Sequence, residues 1–258
     1  MISREVLQNI ATRYRTSIFP NVVREYFQHE FLSEFYRLPG AEHLFFKGGT
    51  ALRIVYGSPR FSEDLDFSVF GVPVGEVAGL VEHLFLQGLS VLERSGIHID
   101  LDAKSDATQG GYFGRAEFST PSMPDFQSVG MEINVSTRNG RSIVGEIDSV
   151  ANDFVPTYTL THLPQSDLVE EKVFGALLER KKPRDFYDLY FIMRRGMLTQ
   201  EQKARLAGLR EQILADARVI NFRTELGVFL PVDQQAIIAD FIRALDAEMT
   251  RQLAIEAI

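Results

Sequence analysis

The stretch from Phe45 to Leu52 places two consecutive glycines between an apolar run and residues typical of a helix. The apolar run predicts a short strand, and Gly48 and Gly49 would let the backbone turn sharply or approach a phosphate closely. Thr50 would then open a short helix, whose free N–H groups can bind an anion. A Gly-Gly pair alone is most often only a turn, so the phosphate-binding interpretation depends on the residues after the turn.

A second predicted strand, with two acids at alternate positions, follows the short helix after the glycines. Asp64 and Asp66 are separated by Leu65, so both carboxylates would point to the same face of a strand. Two carboxylates that point together repel each other at neutral pH, and a cation between them relieves the repulsion. Mg²⁺ takes oxygen ligands of this kind, with Mn²⁺ as an alternative. An acid-x-acid pair is usually a solvated edge, but beside a glycine turn it predicts a site for a metal-bound nucleoside triphosphate.

The combined pattern resembles the nucleotidyltransferase signature of the DNA polymerase β superfamily, in which a Gly-Gly or Gly-Ser pair precedes Asp-hydrophobic-Asp-hydrophobic. The fuller wording, Lys-Gly-Gly-Thr-Ala-Leu at 47–52 and Arg-Phe-Ser-Glu-Asp-Leu-Asp-Phe-Ser at 60–68, is similar to the AbiEii/AbiGii toxin family of bacterial abortive-infection and toxin–antitoxin systems. The resemblance implies an α+β fold. A polymerase β-like core of mixed sheet and flanking helices would occupy 1–160, and a C-terminal helical lobe 161–258, with a cleft between them.

A lysine and a pair of acids in the C-terminal half match the same family a second time. Lys172 falls on the apolar arc of a predicted helix, so its ammonium must either extend to solvent or meet an anion. The run Arg-Asp-x-x-Asp-Leu-Tyr at 184–190 comes next, with Asp185 and Asp188 spaced to share a helix face. Asp185 could instead be a helix-start acid, and Asp188 a partner for Arg184 or Arg194.

The superfamily carries a third carboxylate on a later core strand. Residues 131–136 alternate between apolar and polar side chains, which predicts a half-buried strand with Glu132, Asn134 and Ser136 on its polar face. Glu132 is the best match to the third carboxylate, where it could bind a second metal or act as the base for the acceptor hydroxyl. The commonest residue there is Asp, and a solvent-facing strand acid is an equal alternative.

The resemblance assigns the remaining roles by position. The backbone of the glycine turn, a serine hydroxyl, two lysines and one arginine are expected to hold the nucleotide: Lys47, Gly48, Gly49, Thr50, Ser62, Lys172 and Arg184. The expected metal ligands are Asp64, Asp66 and Glu132. Asp185 is expected to orient Lys172 or to contact the acceptor or the metal.

Composition limits the partners. A net charge of −8 argues against a general nucleic-acid coat protein, although the cluster Arg180, Lys181, Lys182 and Arg184 could bind an RNA backbone or be a solvated helix junction. The absence of cysteine excludes disulfides and fits a cytoplasmic location. Neither a signal pattern nor a membrane-spanning run is visible.

The resemblance therefore implies a toxin that transfers a nucleoside monophosphate from an NTP to RNA, with the 3′ end of tRNA as the expected acceptor and a cognate antitoxin as a partner. Two alternatives stay open: a nucleotidyltransferase that modifies a protein hydroxyl or a small molecule, and a non-catalytic nucleotide-binding module. The sequence identifies neither the NTP, the tRNA, the antitoxin nor the oligomeric state.

Overall fold

The computed structural model describes residues 2–102, 106–108, 111–137 and 143–253. The chain divides into two compact units. The first consists of Met1–Gly57 and Phe61–Leu163, and the second of Ser58–Arg60 and Pro164–Ile258. The helical unit thus includes three residues that precede the acid strand in the chain.

A mixed sheet forms the centre of the first unit. Its strands in chain order are β1 Leu44–Lys47, β2 Leu65–Val69, β3 His98–Leu101, β4 Asp106–Thr108, β5 Gly111–Ser119, β6 Val129–Thr137, β7 Glu146–Val150 and β8 Tyr158–His162. They lie in the order β3-β5-β6-β2-β1-β8-β7, and β4 pairs with β5. β2 is antiparallel to β1 and parallel to β6. β2, the strand that carries Asp66, therefore has a hydrogen-bonded neighbour on each side. Both neighbours fix its register.

Helices and aromatic side chains cover one face of this sheet. The helices of the first unit are α1 Arg4–Arg13, α2 Phe19–Phe35, α3 Gly48–Ile54 and α4 Val74–Arg94. The ring of Phe35 from α2 lies 5.4 Å from that of Phe67 on β2, and Phe85 from α4 lies 5.9 Å from the same ring. Burial of a phenylalanine side chain stabilises a fold by about 1.5–3 kcal/mol. Because residues alternate along β2, packing Phe67 against the helices turns Asp66 to the other face.

The second unit is helical. It contains α5 Gln165–Val169, a π-helical segment Glu170–Leu177, α6 Leu178–Arg180, α7 Pro183–Arg194, α8 Gln200–Arg218, α9 Arg223–Phe229, a 3₁₀ segment Val232–Asp240 and α10 Phe241–Leu253. Pro183 lies in the first turn of α7, where its missing N–H costs no helical hydrogen bond. Phe222 and Phe241 pack with ring centroids 4.5 Å apart. The fold is thus α+β with a C-terminal helical unit, as the sequence predicts.

Across the described residues, no helix has both the length and the apolar character that crossing a membrane requires.

Candidate functional site

The carboxylate of Asp66 lies in a space that exists because residue 48 is a glycine. Lys47, the residue before it, is directly opposite Asp66 in the antiparallel pairing of β1 and β2. Gly48 has a φ of +82°, and a Cβ added to it would lie 2.1 Å from Asp66 Oδ2. Both its backbone conformation and the nearby carboxylate therefore exclude a side chain at this position. The first glycine of the pair brings Asp66 against the backbone of the turn.

Buried side chains hold the backbone that leads into β2. Gln28 donates from Nε2 to the carbonyl oxygens of Ser62 at 3.1 Å and Glu63 at 3.0 Å. The hydroxyl of Thr50 donates to the carbonyl oxygen of Asp64. Gln28 is 1% exposed and Thr50 is 0% exposed, so these hydrogen bonds are shielded from water. The sequence indicated only a backbone role for Thr50, whereas its side chain holds the backbone of Asp64 in place.

A polar row crosses the sheet at Asp66. Lys47 is the cross-strand partner of Asp66 on β1, and Asn134 is its partner on β6. Cross-strand partners lie on the same face of a sheet. Asn134 Nδ2 donates to Asp66 Oδ1 at 3.3 Å, and Lys47 Nζ donates to Ser136 Oγ at 2.8 Å. We call the face that carries these four residues the acid face.

Sequence reasoning missed Asn134 and Ser136 as site residues. Their alternation with apolar neighbours places them on the polar face of β6 together with Glu132. Which of the three lies beside Asp66 depends on the register of β6 against β2, and that register pairs Asp66 with Asn134.

The acid face contains a cavity of about 290 Å³ beside Asp66 and Asn134. Its lining includes Lys47, Asp66, Phe113, Asn134 and Ser136.

Glu132 lies two residues before Asn134 on β6, and its cross-strand partner is on β5. Its Oε1 is 3.6 Å from Nη1 of Arg115, the residue opposite it on β5. Within the described residues, no three His, Cys, Asp or Glu side chains are grouped so that they could hold a metal ion. The structure therefore does not bring Asp64, Asp66 and Glu132 together as a three-carboxylate cluster. The carboxylate that lies against the glycine turn is that of Asp66, whereas Asp64 lies just before β2, which begins at Leu65.

A buried cluster of three charged residues occupies the second unit. Arg60 donates from Nε to Asp188 Oδ1 at 2.9 Å and from Nη2 to Oδ2 at 3.1 Å. Lys172 donates from Nζ to Asp188 Oδ2 at 2.9 Å. The side chains of Arg60 and Asp188 are both 2% exposed. Of the two alternatives for Lys172, an anion is the one found, because its ammonium meets a carboxylate instead of extending to solvent.

The two cations favour the charged form of Asp188. Burial by itself would raise the pKa of Asp188, but the positive charges of Arg60 and Lys172 outweigh burial and hold that pKa below its ordinary value. Two cations and one carboxylate leave a net charge of about +1. Lys172 also lies in the π-helical segment, a feature that is frequent at functional sites.

The hydrogen bonds of Asp185 stabilise the start of α7. Its carboxylate accepts a hydrogen bond from Arg180 Nη2 at 2.6 Å and from the backbone N–H of Lys182 at 3.1 Å, at the start of α7. This is the helix-start role that the sequence allowed as an alternative. The carboxylate that contacts Lys172, a role expected of Asp185, belongs to Asp188, one helical turn later.

Acids neutralise most of the basic cluster at 180–184. Arg180 binds Asp185, Lys181 Nζ lies 3.0 Å from Asp216, and Arg184 Nε lies 3.3 Å from Glu225. In the part of the chain that the structure describes, Lys182 is the one member of the cluster without an ion pair. The cluster therefore offers an RNA backbone less positive charge than its sequence suggests.

Comparison with known proteins places this geometry in context. Residues 30–255 match the family described as nucleotidyl transferase AbiEii toxin, type IV TA system. The fold is similar to that of MenT4, a nucleotidyltransferase toxin from Mycobacterium tuberculosis H37Rv, with a TM-score of 0.65 and 16% identity over 100% of this chain and 91% of that one. It is also similar to JHP933 from Helicobacter pylori, with a TM-score of 0.60 and 18% identity over 90% of this chain and 91% of that one. At these identities the likeness concerns the fold. No curated protein matches the chain.

Proposed function

The chain belongs to the AbiEii family of nucleotidyl transferase toxins, and on this basis we propose that it transfers a nucleoside monophosphate from an NTP to the 3′ end of a tRNA, with Mg²⁺ at Asp64 and Asp66. The family makes it a nucleotidyltransferase of a toxin–antitoxin system, which implies an NTP substrate and an antitoxin. The single observation that carries the proposed chemistry is the Asp66 carboxylate, seated against the backbone of Gly48 in a cavity.

The donor set fits a magnesium ion. Mg²⁺ is usually bound by one or two carboxylates, several waters and the phosphates of a substrate, so a third protein carboxylate is not required. In this proposal Asp64 and Asp66 would supply the two carboxylates, with Mn²⁺ as an alternative ion. When bound there, the ion would neutralise charge on the phosphates and on the departing pyrophosphate.

The reaction is an in-line displacement at the α-phosphorus. The acceptor hydroxyl oxygen forms a bond to this phosphorus and releases its proton to solvent, the bond to the bridging oxygen breaks, and pyrophosphate leaves. Lys47, on the acid face, would stabilise negative charge on the phosphate oxygens, and the backbone N–H groups of Gly48 and Gly49 would orient the triphosphate. Ser62 is a further phosphate contact by position. A fixed backbone at Asp64 keeps these groups in place before the substrate arrives.

The family resemblance makes Lys172 a proposed phosphate contact. An ammonium group has three N–H donors, and the hydrogen bond to Asp188 uses one of them, so Asp188 can orient Lys172 and leave donors for a phosphate. We assign Asp185 to the start of α7 and Arg184 to its pair with Glu225, as supporting positions.

A labelling experiment tests the activity and the acceptor together. The purified protein would be incubated with Mg²⁺, each α-³²P-labelled NTP, total tRNA and a protein extract. We expect label in tRNA, its loss with EDTA and its loss in Asp66→Ala, while Asp125→Asn, at an exposed acid, retains it. Label in protein instead of RNA would replace the proposed acceptor with a protein hydroxyl. No label with any NTP, together with retained NTP binding, would make the chain a nucleotide-binding module.

A further inference from the structure

A phenylalanine extends the polar row of the acid face by one more strand. Phe113 on β5 is the cross-strand partner of Asn134, which in turn is the partner of Asp66. The three side chains therefore lie in one line across the sheet, and neighbouring strands are about 4.7–4.9 Å apart. Phe113 is thus roughly 10 Å from Asp66 along this line, measured between Cα positions.

Phe113 is packed differently from the neighbouring aromatic residues. Tyr112 points to the opposite face of the sheet, where its ring stacks on Phe85 at a centroid distance of 5.9 Å and an interplanar angle of 6°. Phe118, further along the same strand, is completely buried. Phe113 and Tyr112 are both partly exposed and both line the cavity that Asp66 and Asn134 also line, but the cross-strand pairing with Asn134 puts Phe113 on the acid face. A partly open phenyl ring beside polar groups in a cavity is suited to a flat ligand that carries hydrogen-bonding groups.

Asn134 lies between the acid and the aromatic ring. Its Nδ2 donates to Asp66, which turns its carbonyl oxygen Oδ1 away from that carboxylate as an acceptor. A sugar hydroxyl is a donor that such an oxygen can bind. The line thus offers a metal-binding acid, an acceptor for a hydroxyl and a surface for stacking, in that order.

From this order we infer that the nucleoside part of the NTP lies along the row, with a ribose hydroxyl against Asn134 and the base stacked on Phe113. The inference rests on the proposed function, because it takes the triphosphate to be held at Asp66. A nucleotide has the same order, phosphate, then sugar, then base. Stacking on a phenyl ring tolerates every base, whereas the contact of Asn134 with a sugar hydroxyl favours ribonucleotides over deoxyribonucleotides.

Binding without turnover tests this assignment independently of the acceptor. The probes are the α,β-methylene analogues of the four NTPs, the corresponding deoxy analogue of the tightest one, and inorganic tripolyphosphate, each with Mg²⁺. Phe113→Ala should weaken the affinity for the NTP analogue by roughly 5- to 150-fold, the range found when a stacking ring is replaced by alanine. Its affinity for tripolyphosphate should stay unchanged. Phe113→Tyr should bind the analogue like the unsubstituted protein.

Two further variants complete the design. Asn134→Ala should reduce the preference for the ribonucleotide over the deoxyribonucleotide by roughly 2- to 10-fold, as expected for one neutral hydrogen bond. Phe126→Ala is a matched control, because Phe126 is also partly exposed in the first unit and does not line the cavity. Circular dichroism melts of all variants report whether each one folds.

The outcomes separate this inference from the proposed function. Equal affinity of Phe113→Ala and the unsubstituted protein for the NTP analogue would overturn the base site while leaving metal-dependent nucleotide binding intact. An equal loss of tripolyphosphate affinity in Phe113→Ala would also overturn it, because the ring would then act on the phosphate site. If the unsubstituted protein binds neither the analogues nor tripolyphosphate, both proposals fail.

Discussion

Replacing Gly48 by alanine would place a methyl group where the carboxylate of Asp66 now lies. The added Cβ would be 2.1 Å from Asp66 Oδ2 and 2.9 Å from Asp66 Cβ, so the aspartate has to move. The φ of +82° at this residue adds about 1–2 kcal/mol for any residue with a Cβ. Overpacking adds a further cost of about 1–3 kcal/mol. We therefore expect Gly48→Ala to lower the free energy of unfolding by about 2–5 kcal/mol and to abolish nucleotidyl transfer.

Gly57 provides a matched control for this experiment. It has a φ of +73°, but a Cβ added to it would meet nothing within 4 Å. Gly57→Ala should therefore lose only the backbone contribution of about 1–2 kcal/mol and keep its activity. Urea unfolding measures both stabilities, and the labelling assay measures both activities. Equal stability losses in the two variants, with transfer retained in Gly48→Ala, would refute the packing of Asp66 against the turn.

Three further predictions concern charged groups. Asp188→Ala removes the buried carboxylate to which Arg60 and Lys172 donate and should cost about 3–5 kcal/mol in urea unfolding. Because folding lowers the pKa of Asp188, its contribution is complete above the ordinary aspartate pKa of about 3.9 and is lost as the pH falls through the lower folded value, a dependence that Asp188→Asn should lack. Glu132→Gln should change the free energy of unfolding by less than about 1 kcal/mol, because the ion pair of Glu132 with Arg115 is exposed. The variant should also keep its nucleotidyl transfer activity. A loss of transfer rate of about 10²- to 10⁴-fold would instead identify Glu132 as a general base. Burial, together with the charge of Arg53, lowers the pKa of His29 to about 3. Stability should therefore fall by about 1.4 kcal/mol for each pH unit between about 6.5 and about 3, and unfolding curves of His29→Phe should lack this slope.

The backbone freedom of Gly48 and the strand position of Asp66 could be predicted from the sequence, and the structure places the Asp66 carboxylate against Gly48. The prediction that Asp64 shares a strand face with Asp66 is not met in the same way, because β2 begins at Leu65 and Asp64 lies just before it. The mixed α+β fold and the helical C-terminal unit were implied by the family resemblance, and the structure contains both. The period of a single helix or strand depends on neighbours within a few residues, so a sequence displays it directly.

The partners of the site residues depended on contacts that are distant in sequence. Asn134 lies opposite Asp66 because of the register between β2 and β6, and a shift of two residues would have placed Glu132 there instead. Likewise, Asp185 and Asp188 share a helix face, but the choice between them is made by Arg60, which is 128 residues from Asp188 in the chain. The carboxylate of Asp185 already accepts hydrogen bonds at the start of α7. The periodicity of a helix or strand does not predict which of these residues form the long-range contacts.

The bond between Arg60 and Asp188 also limits how this chain can be divided or recombined. Arg60 lies four residues before Asp64 in the chain, yet Ser58–Arg60 belongs to the helical unit. A fragment that starts at Pro164 would lack this guanidinium and would keep an acid with one counter-ion where the intact protein has two. Exchange of the C-terminal half between related toxins should therefore succeed only when an arginine at position 60 is inherited with it.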